Sequence, residues 1–336
     1  MESSSEVITM MHGSGGSATD KLIEEIFEKE FRNDILSSME DAALVDVGAI
    51  GKIAMTTDSF VVDPIFFKGG DIGRLCICGT VNDLLMRGAK AKYITCGFIL
   101  EEGLKIDTLK KVVASMAACA REAGVEIVAG DTKVVNGKGG MYINTAGVGI
   151  FDTELNICAS NAQLGDSVLI TGNIGDHHAA ILSDRMGIEN DIESDNAPLC
   201  DIVGNLLNEG LNIHVLRDVT RGGLATILAE LSQASKVNIE LEEEKIPVSP
   251  TVKSFAGLLG LDPLYMGNEG KAVVFLPEDE ADRALEIIRK SKYGEKAQLI
   301  GKVVEKDETG KLLMRTSIGT KRQLQRLVGE GLPRIC

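Results

Sequence analysis

The clearest chemical group in the sequence is the thiol at its end. Cys336 follows Leu332, Pro333, Arg334 and Ile335 in the string GEGLPRIC, whose two glycines and proline favour a tail over a packed element. Its own carboxylate, a few bonds away, disfavours the thiolate, and Arg334 offsets this only in part, so a strongly activated free nucleophile is not implied. A swinging carrier fits better: a thiol at the tip of a stiffened tail takes up a group at one place and presents it at another. An incidental terminal cysteine is the competing reading. Prenylation is excluded, because it needs cysteine fourth from the end.

Four aspartates stand where turns or strand ends are expected: Asp58 in TTDSF, Asp83 in GTVNDL, Asp131 in AGDTK and Asp218 in RDVTRGG. Carboxylates so placed suit Mg2+, which takes oxygen ligands and bridges a few carboxylates to nucleotide phosphates. For any one of them, a turn or capping role competes. Three glycine-rich strings, HGSGG at 12–16, GGD at 69–71 and RGG at 221–223, could turn backbone N–H groups toward phosphate oxygens. Neither a P-loop nor a dinucleotide fingerprint is present, so a nucleotide must be held by another architecture. Lys133 and Glu269 could serve as electrophile and base, although the residues alone favour a solvated strand-end charge and a turn-capping carboxylate. Cys76 and Cys78 lie in an apolar helical pattern and are read as core. Asp176 is read as the N-cap of a helix starting at His177 and His178, which point different ways and do not share a metal.

These groups need elements to hold them. After a polar, glycine-rich stretch, apolar residues from Asp20 to Arg32 recur at helical spacing. IAMTTDSFVV, YITCGFIL, EIVAGDTKVV and MYINTAGVGIF read as strands, and DTLKKVVASMAACAREAG as an amphipathic helix closed by Gly124. LGDSVLITGNIGDHHAAIL opens a second strand-turn-helix set, continued by helices ATILAELSQAS and ADRALEIIRKSK and strands KAVVFLP and QLIGKVVE. The expected division is an arm and helix over 1–39, an α/β domain over 40–156, a second over 157–320 and a mobile tail over 321–336. No strong periodicity is visible after Met314.

The bulk numbers exclude several classes. At 336 residues the chain is long enough for two domains with their own cores. A net charge of -15 repels nucleic acid and anionic membranes, so no partner of either kind is expected. No apolar run reaches membrane-spanning length and no signal-peptide pattern opens the chain, so a cytoplasmic protein is expected. Seven scattered cysteines, an odd number, argue for reduced thiols rather than an oxidised framework.

Together the strings TTDSFVVDPIFFKGGDIG, GTVNDL, YITCGFILEEG, VAGDTKVV, NTAGVG, GDHHAAIL, RDVTRGG, GNEGK and LPRIC resemble the HypE family of hydrogenase maturation proteins along nearly the whole chain. That resemblance implies the two-domain α/β (α+β) fold of aminoimidazole ribonucleotide synthetase, shared with selenophosphate synthetase and thiamine phosphate kinase and lacking a P-loop. Selenophosphate synthetase itself would need a reactive Cys and Lys beside HGSGG, which are missing. The implied activity is ATP-dependent dehydration of an S-carboxamide on Cys336 to an S-cyanide, which supplies the cyanide ligands of [NiFe]-hydrogenase. The implied partners are HypF, which loads the carbamoyl group, the HypC–HypD complex, which accepts cyanide, and a second copy of the chain in a homodimer. The implied catalytic residues are Cys336, Glu269 as base and Lys133. ATP is assigned to Gly13, Gly15, Gly16, Asp41, Asp58, Asn82, Asp83, Asp131 and Thr132, and Mg2+ to Asp58, Asp83 and Asp131. One departure is His178, where the family pattern more often has glycine.

Overall fold

The computed structural model describes residues 7–9, 22–33, 53–151 and 155–327. Gly13, Gly15, Gly16, Asp41 and Cys336 lie outside the described residues. A π-helical turn, Ile23–Glu28, runs into the short helix α1 (Lys29–Phe31). Its buried Phe27 ring sits 5.1 Å from Phe98 and so pins the segment to the first sheet.

That sheet has four strands in the order β1 (Ile53–Phe60), β6 (Met141–Ile150), β4 (Lys90–Glu101), β5 (Glu126–Val135). A two-stranded ribbon, β2 (Phe66–Phe67) and β3 (Gly70–Asp71), leads into helix α2 (Ile72–Met86). Asp71 caps α2 by accepting from the N–H groups of Gly73 and Arg74 at 2.7 and 3.1 Å. Twelve of the fifteen residues of α2 are buried, so it has no solvent stripe and must be covered on all sides. It packs on β1 and β6 of the first sheet and on β8 (Val215–Asp218) of the second. Helix α3 (Ile106–Ala123) is amphipathic by contrast and ends, as its spacing predicts, at Gly124 with φ +70°.

The second half builds a seven-stranded sheet in the order β13 (Lys321–Leu324), β12 (Leu312–Arg315), β9 (Val237–Glu242), β11 (Gln298–Lys306), β7 (Asp166–Ile170), β10 (Ala272–Pro277), β8 (Val215–Asp218). Its helices are α4 (Asp176–Met186), α5 (Cys200–Asn208), α6 (Gly223–Ser235), α7 (Pro250–Leu259) and α8 (Ala281–Lys290). One continuous cluster of buried residues joins Leu75 and Ile77 to Leu199, Ile202, Leu216 and Val274, so the two halves share core across the α2 seam. Among the described residues no helix is long and apolar enough to cross a membrane.

Two local expectations change. Lys321–Leu324 pairs antiparallel with β12, so the tail cannot begin at 321. The strand escapes notice because it is an edge of Lys, Arg and Gln with only Leu324 buried. Asp176 is the first residue of α4 and not its cap. Gly175, at φ +87°, takes the cap position, and Asp176 instead accepts from the Ser249 hydroxyl.

Candidate active site at the domain seam

β1 alternates, with Thr56, Asp58 and Phe60 toward α2 and Met55, Thr57 and Ser59 away from it. On the facing surface of α2, Asp83 accepts from the Thr56 hydroxyl at 2.8 Å. Asp218 ends β8, opposite Ala272 in the ladder with β10. Desolvation first, then the negative charges of Asp218 and Asp58, push the Asp83 carboxyl up to about 6. Asp218 is raised chiefly by burial, with Asp58 adding to it. Asp58, Asp83 and Asp218 thus crowd one acidic corner without cationic compensation equal to their charge. Among the described residues no three acidic or histidine side chains close on a single point. The corner therefore suits a cation shared with phosphate oxygens rather than one caged by protein alone.

Glu269 stands beside that corner on the loop 266–271 before β10. Burial pushes its carboxyl well above the usual range, and the charges of Asp195, Asp218 and Asp58 act the same way, against Arg221. Its position is held through the backbone. The Glu269 N–H donates to Asp195 Oδ1 at 3.0 Å, and its carbonyl accepts from Asn82 Nδ2 at 3.2 Å. Asn82 also donates to the Ala197 carbonyl at 3.0 Å and accepts from the Leu199 N–H at 2.9 Å. Asn82, expected near ATP, clamps α2 to the segment 193–199, its buried amide engaged with backbone.

Asp195 anchors this loop a second time. Its Oδ2 lies 3.5 Å from Lys271 Nζ, both side chains being buried, which makes a compensated pair one residue beyond Gly270. Gly270 itself is required. A Cβ there would sit 2.0 Å from the Asp195 carbonyl oxygen. Two of the three glycine strings, GGD and RGG, have the same explanation. A Cβ on Gly69, at φ +87°, would meet the Ser194 backbone, and one on Gly223 the backbone of Tyr265 and Leu264. GGD and RGG let chain segments close on the site.

The pleat separates the remaining expected residues. Asp131 pairs with Gly97 and Lys133 with Ile99, on the face of the first sheet turned away from α2, while Thr132 pairs with buried Phe98 on the inner face. Asp131 therefore does not join Asp58 and Asp83 within one chain, nor does Lys133 join Glu269. Asp131 and Lys133 form an exposed ion pair at 3.3 Å. Their face carries Ile53, Met55, Ile99, Val135 and Tyr142 as exposed apolar side chains. Asp195, Lys271 and His177 reach this site only through the fold of the segment 193–199 against the loop before β10, which no local pattern states. Cys76 and Cys78 are buried in the core as expected.

The last described residues before the tail are held beside α6 and Tyr265, four residues ahead of Glu269 in the chain. The Leu327 N–H donates to the Thr226 hydroxyl at the start of α6, and the Tyr265 hydroxyl to the Gln325 carbonyl.

Two family models cover most of the chain: the AIR synthase related N-terminal domain over residues 39–151 and the C-terminal domain over 163–312. The carbamoyl dehydratase HypE of Azotobacter vinelandii is 46% identical over 333 residues, 98% of this chain and 97% of that protein. The chain belongs to the HypE family. A crystal structure of the hydrogenase maturation protein HypE in complex with ATP superimposes at TM-score 0.93 with 47% identity, covering 97% of this chain and 99% of that one. A HypE from a HypE–HypF complex matches at TM-score 0.79 and 48% identity, covering 91% and 99%. The two-domain α/β architecture expected from the resemblance is therefore the HypE fold.

Proposed function

We propose that this HypE family member dehydrates a carboxamide carried on the sulfur of Cys336 to the corresponding thiocyanate, using ATP and supplying cyanide for the iron centre of [NiFe]-hydrogenase. As a carbamoyl dehydratase of hydrogenase maturation, the chain needs three things: a carrier, a nucleotide site and a base. The observation that carries the reading is Glu269, a buried carboxyl kept protonatable beside the acidic corner of Asp58, Asp83 and Asp218.

The carboxamide oxygen takes the terminal phosphoryl group of ATP, which turns a poor oxygen leaving group into a good one. Loss of both N–H protons and of phosphate leaves the nitrile. Glu269 accepts those protons, because burial and the neighbouring carboxylates raise its basicity to match the task. Asp58, Asp83 and Asp218 fit Mg2+, being hard oxygen donors whose mutual repulsion a cation relieves. When bound there, the ion supplies charge neutralisation for the transferring phosphoryl group. The nine residues after Leu327 span up to about 30 Å at ~3.3–3.6 Å each, enough for Cys336 to return to the wall from which the tail leaves.

In this reading a second copy of the chain covers the apolar outer face of the first sheet, which places Asp131 and Lys133 at the boundary of a homodimer. Lys133 then stabilises developing charge from that boundary. Gly13, Gly15, Gly16, Asp41 and Thr132 belong to the nucleotide's surroundings in the same reading. HypF loads the carbamoyl group, the HypC–HypD complex receives the cyanide, and the work takes place in the cytoplasm.

The test is to incubate the chain with HypF, carbamoyl phosphate and ATP and weigh the tail peptide by mass spectrometry. A carbamoyl adduct on Cys336 that then loses one water supports the assignment. An adduct that persists with ATP present would mean that the tail only docks partners.

A further inference from the structure

This inference rests on the dehydratase reading and deepens it. Converting R–S–C(O)NH2 and ATP to R–S–C≡N, ADP and phosphate strips two protons from one nitrogen. One can leave with the phosphate, and near neutral pH the other is released. A carboxyl that has taken a proton must be emptied before the next turnover, and the Glu269 side chain is only 12% exposed.

His177, the second residue of α4, is fully buried and its Nε2 faces Glu269 Oε1 at 4.0 Å. That nitrogen has no hydrogen-bond partner among the described residues. The other, Nδ1, lies 2.7 Å from the Ser194 hydroxyl. A histidine buried only for packing would have both nitrogens satisfied. The ring is fixed edge-on against Phe67 at 5.6 Å, and Ser194 is fixed by its N–H to the Lys68 carbonyl at 2.8 Å. The Asn196 N–H donates to Ser194 Oγ at 3.2 Å, leaving the serine's own proton free to point onward. Ser194 opens into a polar cleft of about 490 Å³ lined also by Asp176, Asp195, Asn196 and Lys271. The buried amide of Asn196 has both its nitrogen and its oxygen unpartnered there.

We propose that Glu269, His177 and Ser194 form a proton path from the reacting nitrogen to this cleft, with His177 as its relay and positioning residue. The Glu269 carboxyl gives its proton to Nε2, Nδ1 gives one to Ser194 Oγ, and the hydroxyl passes one to water in the cleft. One transfer leaves the ring protonated on Nε2 and bare on Nδ1; once product has left, Nδ1 regains a proton from the cleft through Ser194 and Nε2 releases one to water in the emptied site, which restores the starting tautomer. The charged and titratable groups facing the ring are Glu269 from the loop before β10, Asp195 from the segment 193–199 and His178 beside it on α4. Burial, opposed by Asp195 and aided by His178, holds the imidazole down to about 4, so the resting ring is neutral and free to accept at one nitrogen while donating at the other. The 4.0 Å separation is longer than a hydrogen bond, and catalytic hydrogen bonds tighten on forming the reactive complex.

The test uses full-length chain, carbamoylated by HypF, in single-turnover dehydration from pH 6 to 9 in light and heavy water. His177→Gln, which can hydrogen-bond but not shuttle, is expected to carbamoylate normally and dehydrate about 10²-fold more slowly. Its deficit should shrink as pH rises, its solvent isotope effect should differ from wild type, and imidazole should restore a His177→Gly variant. Ser194→Ala should shift pH profile and isotope effect in the same direction, and it carries the test if His177→Gln does not fold. Wild-type rates in both variants, or a slow rate with unchanged pH profile and isotope effect and no imidazole rescue, would overturn the relay. If wild type itself never loses water, the dehydratase reading falls and takes the relay with it.

Discussion

Replacing Asp83 by Asn should stabilise the metal-free protein at alkaline pH while destroying its nucleotide chemistry. The folded structure holds the Asp83 proton up to about 6, against 3.8 for the free side chain. Between those values the folded state binds more protons than the unfolded one, so stability falls as pH rises through that window and stays lower above it. Holding the proton from 3.8 up to about 6 corresponds to about 3 kcal/mol at pH 8. Asp83 is partly exposed, which screens this, and Asn still accepts from Thr56, so the expected gain is about 1–3 kcal/mol. That is roughly 2–6 °C in unfolding midpoint at about 2 °C per kcal/mol. Thermal unfolding followed by circular dichroism in chelator, at pH 4, 6 and 8, reads this directly. The advantage of the variant should vanish at pH 4, and Mg2+ with nucleotide should stabilise wild type and not the variant. An Asn variant less stable than wild type at pH 8, or a difference independent of pH, would refute the reasoning.

Glu269→Gln should accept the carbamoyl group on Cys336 and fail to dehydrate it, with rates down roughly 10²–10⁴-fold in single-turnover mass spectrometry. Lys271→Met leaves Asp195 buried without its cation and should cost roughly 3–5 kcal/mol in urea unfolding, while adding Asp195→Asn should return most of that loss. Gly270→Ala places a methyl against the Asp195 carbonyl and should cost roughly 1–3 kcal/mol, with slowed dehydration because Glu269 moves with its backbone.

Much of the scaffold is legible from periodicity. α3 declares itself by its apolar stripe and Gly124, and β1, β4, β5, β6 and β7 by their apolar runs and alternation. β9 is not legible, because VNIELE places Asn238 and Glu240 inside. Their burial is tolerated because Glu240 meets Arg315 and Lys321 and Asn238 bonds Glu305 and Lys311, all distant in sequence. Glu269 and the carboxylates at 58, 83 and 218 are visible as motifs. That Asp131 falls on the other face of its sheet depends on strand register, which no local pattern states. His177 and Asp195 become meaningful only when the segment 193–199 folds over the Gly69 turn.

The central claim is that ATP activates the carboxamide through its oxygen. Loading Cys336 with a carbamoyl group bearing heavy oxygen, starting one turnover with ATP and weighing the inorganic phosphate tests it most directly. The label should appear in phosphate, one atom for each thiocyanate formed. Label found in water, with phosphate unlabelled, would contradict the account.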